Sequence, residues 1–137
     1  MRSISRDGLT MALSRRAGSD PPGYDLYLAT RETTDEQWGE PTPVSELNGE
    51  ANDVSPFIST DKLQLFFSSD RPGAEQADLF SAERSSLSEP FAEPALMMGV
   101  NSPAVESDPW LSRSLDYLIF ASSRGDGSTF DLWEARR

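Results

Sequence analysis

The tripeptides Asp25-Leu26-Tyr27, Asp78-Leu79-Phe80 and Asp131-Leu132-Trp133 recur at 78 − 25 = 53 and 131 − 78 = 53 residues, and an arginine follows each on the same spacing, at Arg31, Arg84 and Arg137. A fixed period of this length commits a chain to an array of like supersecondary units, because one unit alone cannot hide both of its apolar faces. Further matches hold the register: Trp38 with Phe91, Glu40-Pro41 with Glu93-Pro94, Leu47-Asn48 with Val100-Asn101, and Pro56-Phe57 with Pro109-Trp110. Upstream of each tripeptide lies a Ser/Arg cluster, at Ser14 to Arg16, Ser68 to Arg71 and Ser122 to Arg124, with the first copy out of step by one or two residues.

Within a copy the local signals are short strands separated by turns. Leu63 to Phe67 is an apolar run with one glutamine, too short for a helix and rich in aromatics, which predicts a strand buried on both faces. Its counterparts are Leu9 to Leu13 and Tyr117 to Ala121, each preceded by a turn and, before that, a short segment around Ile4, Phe57-Ile58 or Trp110-Leu111. A glycine-bearing loop such as Asp70 to Gln76 then leads into the strand that starts at Asp78, forming a hairpin. A weaker apolar stretch, at Thr42 to Leu47 and Ala95 to Val100, is expected as an outer strand whose prolines suit a sheet edge. The predicted architecture is all-β, three units of four-stranded antiparallel meander sheet over 1–52, 53–105 and 106–137, the third incomplete.

Composition narrows the chemistry. The 12 basic and 23 acidic residues give a net charge of −11, which repels nucleic acid and anionic lipid, and no apolar run is long enough for membrane insertion. Cysteine and histidine are both absent, removing disulfides, thiolate nucleophiles, the general base of a Ser/His/Asp triad and the commonest zinc ligand. No metal, cofactor or catalytic residue is therefore expected. Met1 to Asp7 is polar, with no visible signal peptide.

The steps Pro56-Phe57-Ile58-Ser59-Thr60-Asp61 and Phe66-Phe67-Ser68-Ser69-Asp70-Arg71-Pro72-Gly73, with the Asp-Leu-aromatic step, resemble the WD40-like β-propeller repeats of the TolB type along nearly the whole chain. The resemblance implies a partial propeller, a periplasmic, cell-envelope or secreted location, and a non-enzymatic scaffold for a protein or glycan partner. It equally admits an accessory propeller of a hydrolase whose catalytic domain lies elsewhere. Propellers close with about four to eight blades, so three copies imply further blades from a longer chain or a homo-oligomer.

The repeated charges are the leading site candidates. Arg16 with Asp25, Arg71 with Asp78 and Arg124 with Asp131 flank the hairpin loops, where a guanidinium is expected to grip the carboxylate bidentately as a structural pair, or to serve as rim binding for a polar ligand. Paired carboxylates for glycoside hydrolysis would need an acid that stands apart from the repeat, and none does. The Arg124-Gly125-Asp126 triplet lies in an ordinary hairpin loop and lacks the spaced oxygen ligands of a calcium site. Trp38, Phe91, Trp110 and Trp133 are expected to pack between units rather than form a binding surface.

Overall fold

The computed structural model describes residues 2–16, 18 and 23–136, leaving Arg137 outside them. These residues form three antiparallel sheets and no helix. The first sheet runs in the order β1 (Arg2–Ile4), β2 (Thr10–Arg16), β3 (Tyr24–Thr30) and β4 (Thr42–Pro43). The second repeats it with β5 (Asp53–Ile58), β6 (Gln64–Ser69), β7 (Asp78–Glu83) and β8 (Ala95–Leu96). The third has β9 (Glu106–Leu111), β10 (Tyr117–Ser122) and β11 (Asp131–Arg136). The meander expected from the sequence is therefore the observed fold, with three strands in the third unit.

The outer strands are shorter than the sequence implies. Instead of continuing from Thr42 to Leu47, the chain makes two ladder residues, bonds the Val44 N–H to the Leu26 carbonyl at 2.9 Å, and then turns with the Leu47 N–H on the Val44 carbonyl at 2.9 Å. An asparagine side chain completes the edge: Asn48 accepts from the Leu26 N–H at 2.8 Å and donates to the Leu26 carbonyl at 2.9 Å. Asn101 does the same to Leu79 at 2.8 and 3.0 Å, which explains why asparagine recurs at this position.

Two strained positions also obey the period. Ser55 and Asp108 adopt φ of 53°, each one residue ahead of a proline, where β5 and β9 slip register against their partners. The turn before each central strand places Gly8, Lys62 and Leu115 at φ of 73°, 64° and 59°. Only the first copy uses the residue that adopts this conformation without steric cost.

Alternation along β6 sends neighbouring side chains to opposite neighbours. Leu65 and Phe67 belong to a core with Ala12, Leu26, Val44 and Leu47 of the first unit, while Phe66 joins one with Leu111, Leu118 and Phe120 of the third. The two cores are equivalent in sequence: Val44, Leu47, Ile58, Leu65 and Phe67 become Met97, Val100, Leu111, Leu118 and Phe120 after 53 residues. The sheets thus stack face to face, with β1, β5 and β9 adjacent on the inner side and the Ile58 N–H bonded to Ser3 Oγ at 3.0 Å.

A candidate rim built from the repeat

The hairpin loops after β6 and β10 and the crossovers 44–52 and 97–105 gather at one end of the stack. At that end Arg71 does not grip Asp78. Its Nη2 bonds Asp53 Oδ1 at 2.7 Å and the Leu47 carbonyl at 2.9 Å, and its Nε donates to Ser69 Oγ at 3.0 Å. Ser69 Oγ itself donates to Asp53 Oδ1 at 2.6 Å. Arg124 repeats the arrangement with Glu106 at 3.0 Å, Ser122 at 3.0 Å and the Val100 carbonyl. Each guanidinium also stacks on two rings, Arg71 over Phe67 and Phe80 at 4.9 and 5.4 Å, Arg124 over Phe120 and Trp133 at 5.0 and 5.1 Å. The arginine therefore seals the end of each core by cation–π contact while neutralising an acid at the start of the inner strand.

The acid was legible in the period, since 106 − 53 = 53, but the change from aspartate to glutamate disguises the match. The expected partners lie elsewhere. Asp78 stands opposite Ser69, buried, and accepts the Glu75 N–H at 3.1 Å. Asp131 stands opposite Ser122 and is exposed, with Oδ2 close enough to Gly125 that an added Cβ would lie 3.2 Å away. In the first unit Arg15, not Arg16, stands opposite Asp25, so Arg15 occupies the place of Ser69 and the cluster is not repeated there among the described residues. Among the described residues no ion pair joins Arg16 to Asp25.

The two acid clusters differ electrostatically. Burial alone would raise Glu106; hydrogen bonds from Ser102 Oγ, Ser122 Oγ, the Ser102 N–H and Arg124 outweigh it and hold the carboxyl below its usual range. Burial raises Asp53, and the bonds from Ser69 and Arg71 do not offset it. The clusters differ at two positions, Asp53 against Glu106 and Gly49 against Ser102. Ser102 donates to Glu106 at 2.6 Å, whereas its counterpart is Gly49, and Asp53 Oδ2 is buried with no hydrogen-bond partner among the described residues. Gly49 has open space around the position of a Cβ. Combining Gly49→Ser with Asp53→Glu should convert the second cluster into the third, giving a favourable coupling of about 1 kcal/mol in a double-mutant cycle followed by urea unfolding.

Asp78 lies beside Glu106 across the boundary between the second and third units. Burial pushes its carboxyl up and the Glu106 carboxylate adds to the shift. Because folded Asp78 holds its proton to higher pH than the unfolded chain, its ionisation costs stability as pH rises from about 3.8 through the raised folded value; below 3.8 the cost vanishes. Asp78→Asn should accordingly stabilise the protein at neutral pH and lose that advantage below pH 3.8, as read from urea unfolding at both conditions.

Two crevices flank these clusters. One, of about 530 Å³, is bordered by the 46–51 crossover and Arg71; the other, of about 580 Å³, by Ser102 to Val105, Arg124, Gln76 and Phe130. Of the aromatics expected to pack between units, Phe91 is buried and Trp38 half-buried beneath Arg31 at 4.3 Å. Trp110 is instead 50% exposed, because no fourth sheet covers its face among the described residues, and Trp133, which stands opposite Phe120, is 37% exposed because no described strand pairs with the outer edge of β11.

The stack of meander sheets can be compared with solved structures. It superposes on a TolB structure from Agrobacterium tumefaciens with a TM-score of 0.63 at 18% identity, and on TolB from Acinetobacter baumannii with 0.64 at 15%. The fold is a TolB-type β-propeller. The match covers 98% of this chain in both cases but only 41% and 29% of the TolB chains, so this chain spans less than half of either. No family model matches the sequence, and no curated protein does. The three sheets are thus three propeller blades, and the clusters of Arg71 and Arg124 lie where adjacent blades meet.

Proposed function

We propose that this chain is a non-enzymatic propeller segment acting as a rigid scaffold for a protein or glycan partner at the hairpin end. The observation that carries this is the pair of crevices, both set between a crossover and a repeated arginine. The arginines that border them are committed to Asp53 and Glu106, which favours recognition by shape and by neutral groups such as Gln76, Pro103 and Phe130. A net charge of −11 favours neutral or basic partners over anionic ones.

The TolB-type resemblance supports an extracytoplasmic location as part of the same proposal. A tagged native protein found wholly in the cytosolic fraction would remove that part. The binding reading is tested with panels of linear peptides and neutral oligosaccharides titrated against the pure chain and Phe130→Ala, a change at an exposed site. Binding weakened at least tenfold by the substitution supports it; no binding in either panel, or turnover of peptide or glycoside substrates by the pure chain, overturns it.

A further inference from the structure

A crevice of about 570 Å³ lies between the first and second blades, at the end of the strands away from the hairpin loops. Both blades that border it have all four strands. Leu9, Leu28 and Leu87 supply its apolar lining, and one arginine reaches it from each blade, Arg31 from the end of β3 and Arg84 from the end of β7. The two are repeat equivalents, since 84 − 31 = 53, and both are held in place. Arg31 donates through Nε to the Gly8 carbonyl at 2.8 Å and through Nη1 to the Glu36 carbonyl at 3.1 Å, with its guanidinium 4.3 Å from the Trp38 ring. Arg84 donates through Nε to the Lys62 carbonyl at 3.0 Å and lies 4.6 Å from the Phe91 ring. Among the described residues neither guanidinium forms an ion pair and neither Nη2 meets an acceptor, whereas Arg71 and Arg124 each spend Nη2 on a buried acid. Burial pulls Arg84 below its usual range, and Glu46 offsets that shift only in part. Lys62, the third cation on the crevice, is committed to Asp7 at 2.5 Å.

We infer that this crevice binds the carboxylate of a ligand with an apolar body, whose source is the free end of a peptide or a small aliphatic acid. A guanidinium always carries its charge, and its N–H donors form charge-assisted bonds to carboxylate oxygens. Here the carbonyl bonds and the rings beneath have already fixed both carriers, so binding orders little that was free. The leucines beside them suit an aliphatic body. Glu32 and Glu40 also line the crevice, but both are exposed and solvent screens them more than it screens the half-buried arginines. Their charges weigh against a dianion such as phosphate and favour a single carboxylate. The net charge of −11 acts only at long range, since exposed charges are screened within about 8 Å at physiological ionic strength. The crevice shares no lining residue with the two at the hairpin end, so it stands or falls independently of them.

The probes are acetyl-leucine and octanoate, titrated into the isotopically labelled full chain and followed by NMR, with acetyl-leucinamide as the uncharged control and inorganic phosphate as the dianion. Saturable shifts are expected at the Nε–H signals of Arg31 and Arg84 and at Thr10 and Thr30, which line the crevice. The tighter of the two acids tells a peptide end from a free acid. Arg84→Gln should weaken binding about tenfold, the loss of one charge-assisted bond. Glu40→Gln should tighten it about threefold by removing an exposed like charge. No saturable shift at millimolar acid, an amide that binds as tightly as its acid, phosphate that binds more tightly than either acid, or shifts centred outside the crevice would each overturn the assignment. So would unchanged affinity in a folded Arg84→Gln protein or in Glu40→Gln. If Arg84→Gln does not fold, the uncharged control and Glu40→Gln decide the matter.

Discussion

Arg71→Ala is expected to destabilise the protein by about 3–5 kcal/mol, the cost of leaving a buried charge without its partner. Asp53 is 0% exposed and, among the described residues, takes its only cationic contact from Arg71, so the substitution strands an ionised acid in a low-dielectric crevice. It also uncovers the Phe67 and Phe80 rings and leaves the Leu47 carbonyl without its donor. Asp53 responds by taking up a proton. The deficit should therefore be largest at neutral pH and shrink toward acid pH, because burial already raises this carboxyl and the variant loses the bond that opposes the shift. Urea midpoints for parent and variant across that pH range check the sign and the size together. A variant as stable as the parent at neutral pH would mean that Arg71 serves the rim rather than the fold.

Leu79→Ala and Leu132→Ala should differ sharply although the two residues are equivalent in the repeat. Leu79 is 0% exposed between the second and third blades, and its truncation should cost about 2–5 kcal/mol through lost transfer energy and a cavity. Leu132 is 80% exposed on the uncovered face of the third blade, where truncation should change stability by less than about 0.5 kcal/mol. The contrast isolates the neighbouring blade as the cause, since sequence position and strand are matched. Urea unfolding of both variants checks it, and equal costs would show that Leu132 is covered in solution. The same logic explains Trp110, whose counterpart Phe57 is packed against Phe66 and against Trp110 itself.

The strands were readable because their signals are local. Leu63 to Phe67 is a short apolar run between turns, and the Asp-Leu-aromatic step sets the register of the hairpin without reference to anything distant. The arginine's partner was not readable in the same way. Asp53 lies 18 residues before Arg71, on a different strand, and its equivalent is a glutamate, so neither proximity nor identity draws attention to the pair. In the first copy the Ser/Arg cluster looked like a slipped match, but Arg15 opposite Asp25 shows that serine is replaced at the position that matters. The burial of an aromatic in a repeat is not a property of its own blade at all. Phe91 is enclosed by residues of two blades, and Trp133 is left half open although it keeps its guanidinium contact.

The stacking of blades through both faces of β6 is tested most directly by NMR contacts from its two adjacent rings. Phe67 should show cross-peaks to first-blade methyls among Leu26, Val44 and Leu47, while Phe66 should show them to third-blade residues Leu111, Leu118 or Phe120. Rings that report the same neighbours, or contacts confined to the second blade, would contradict the account.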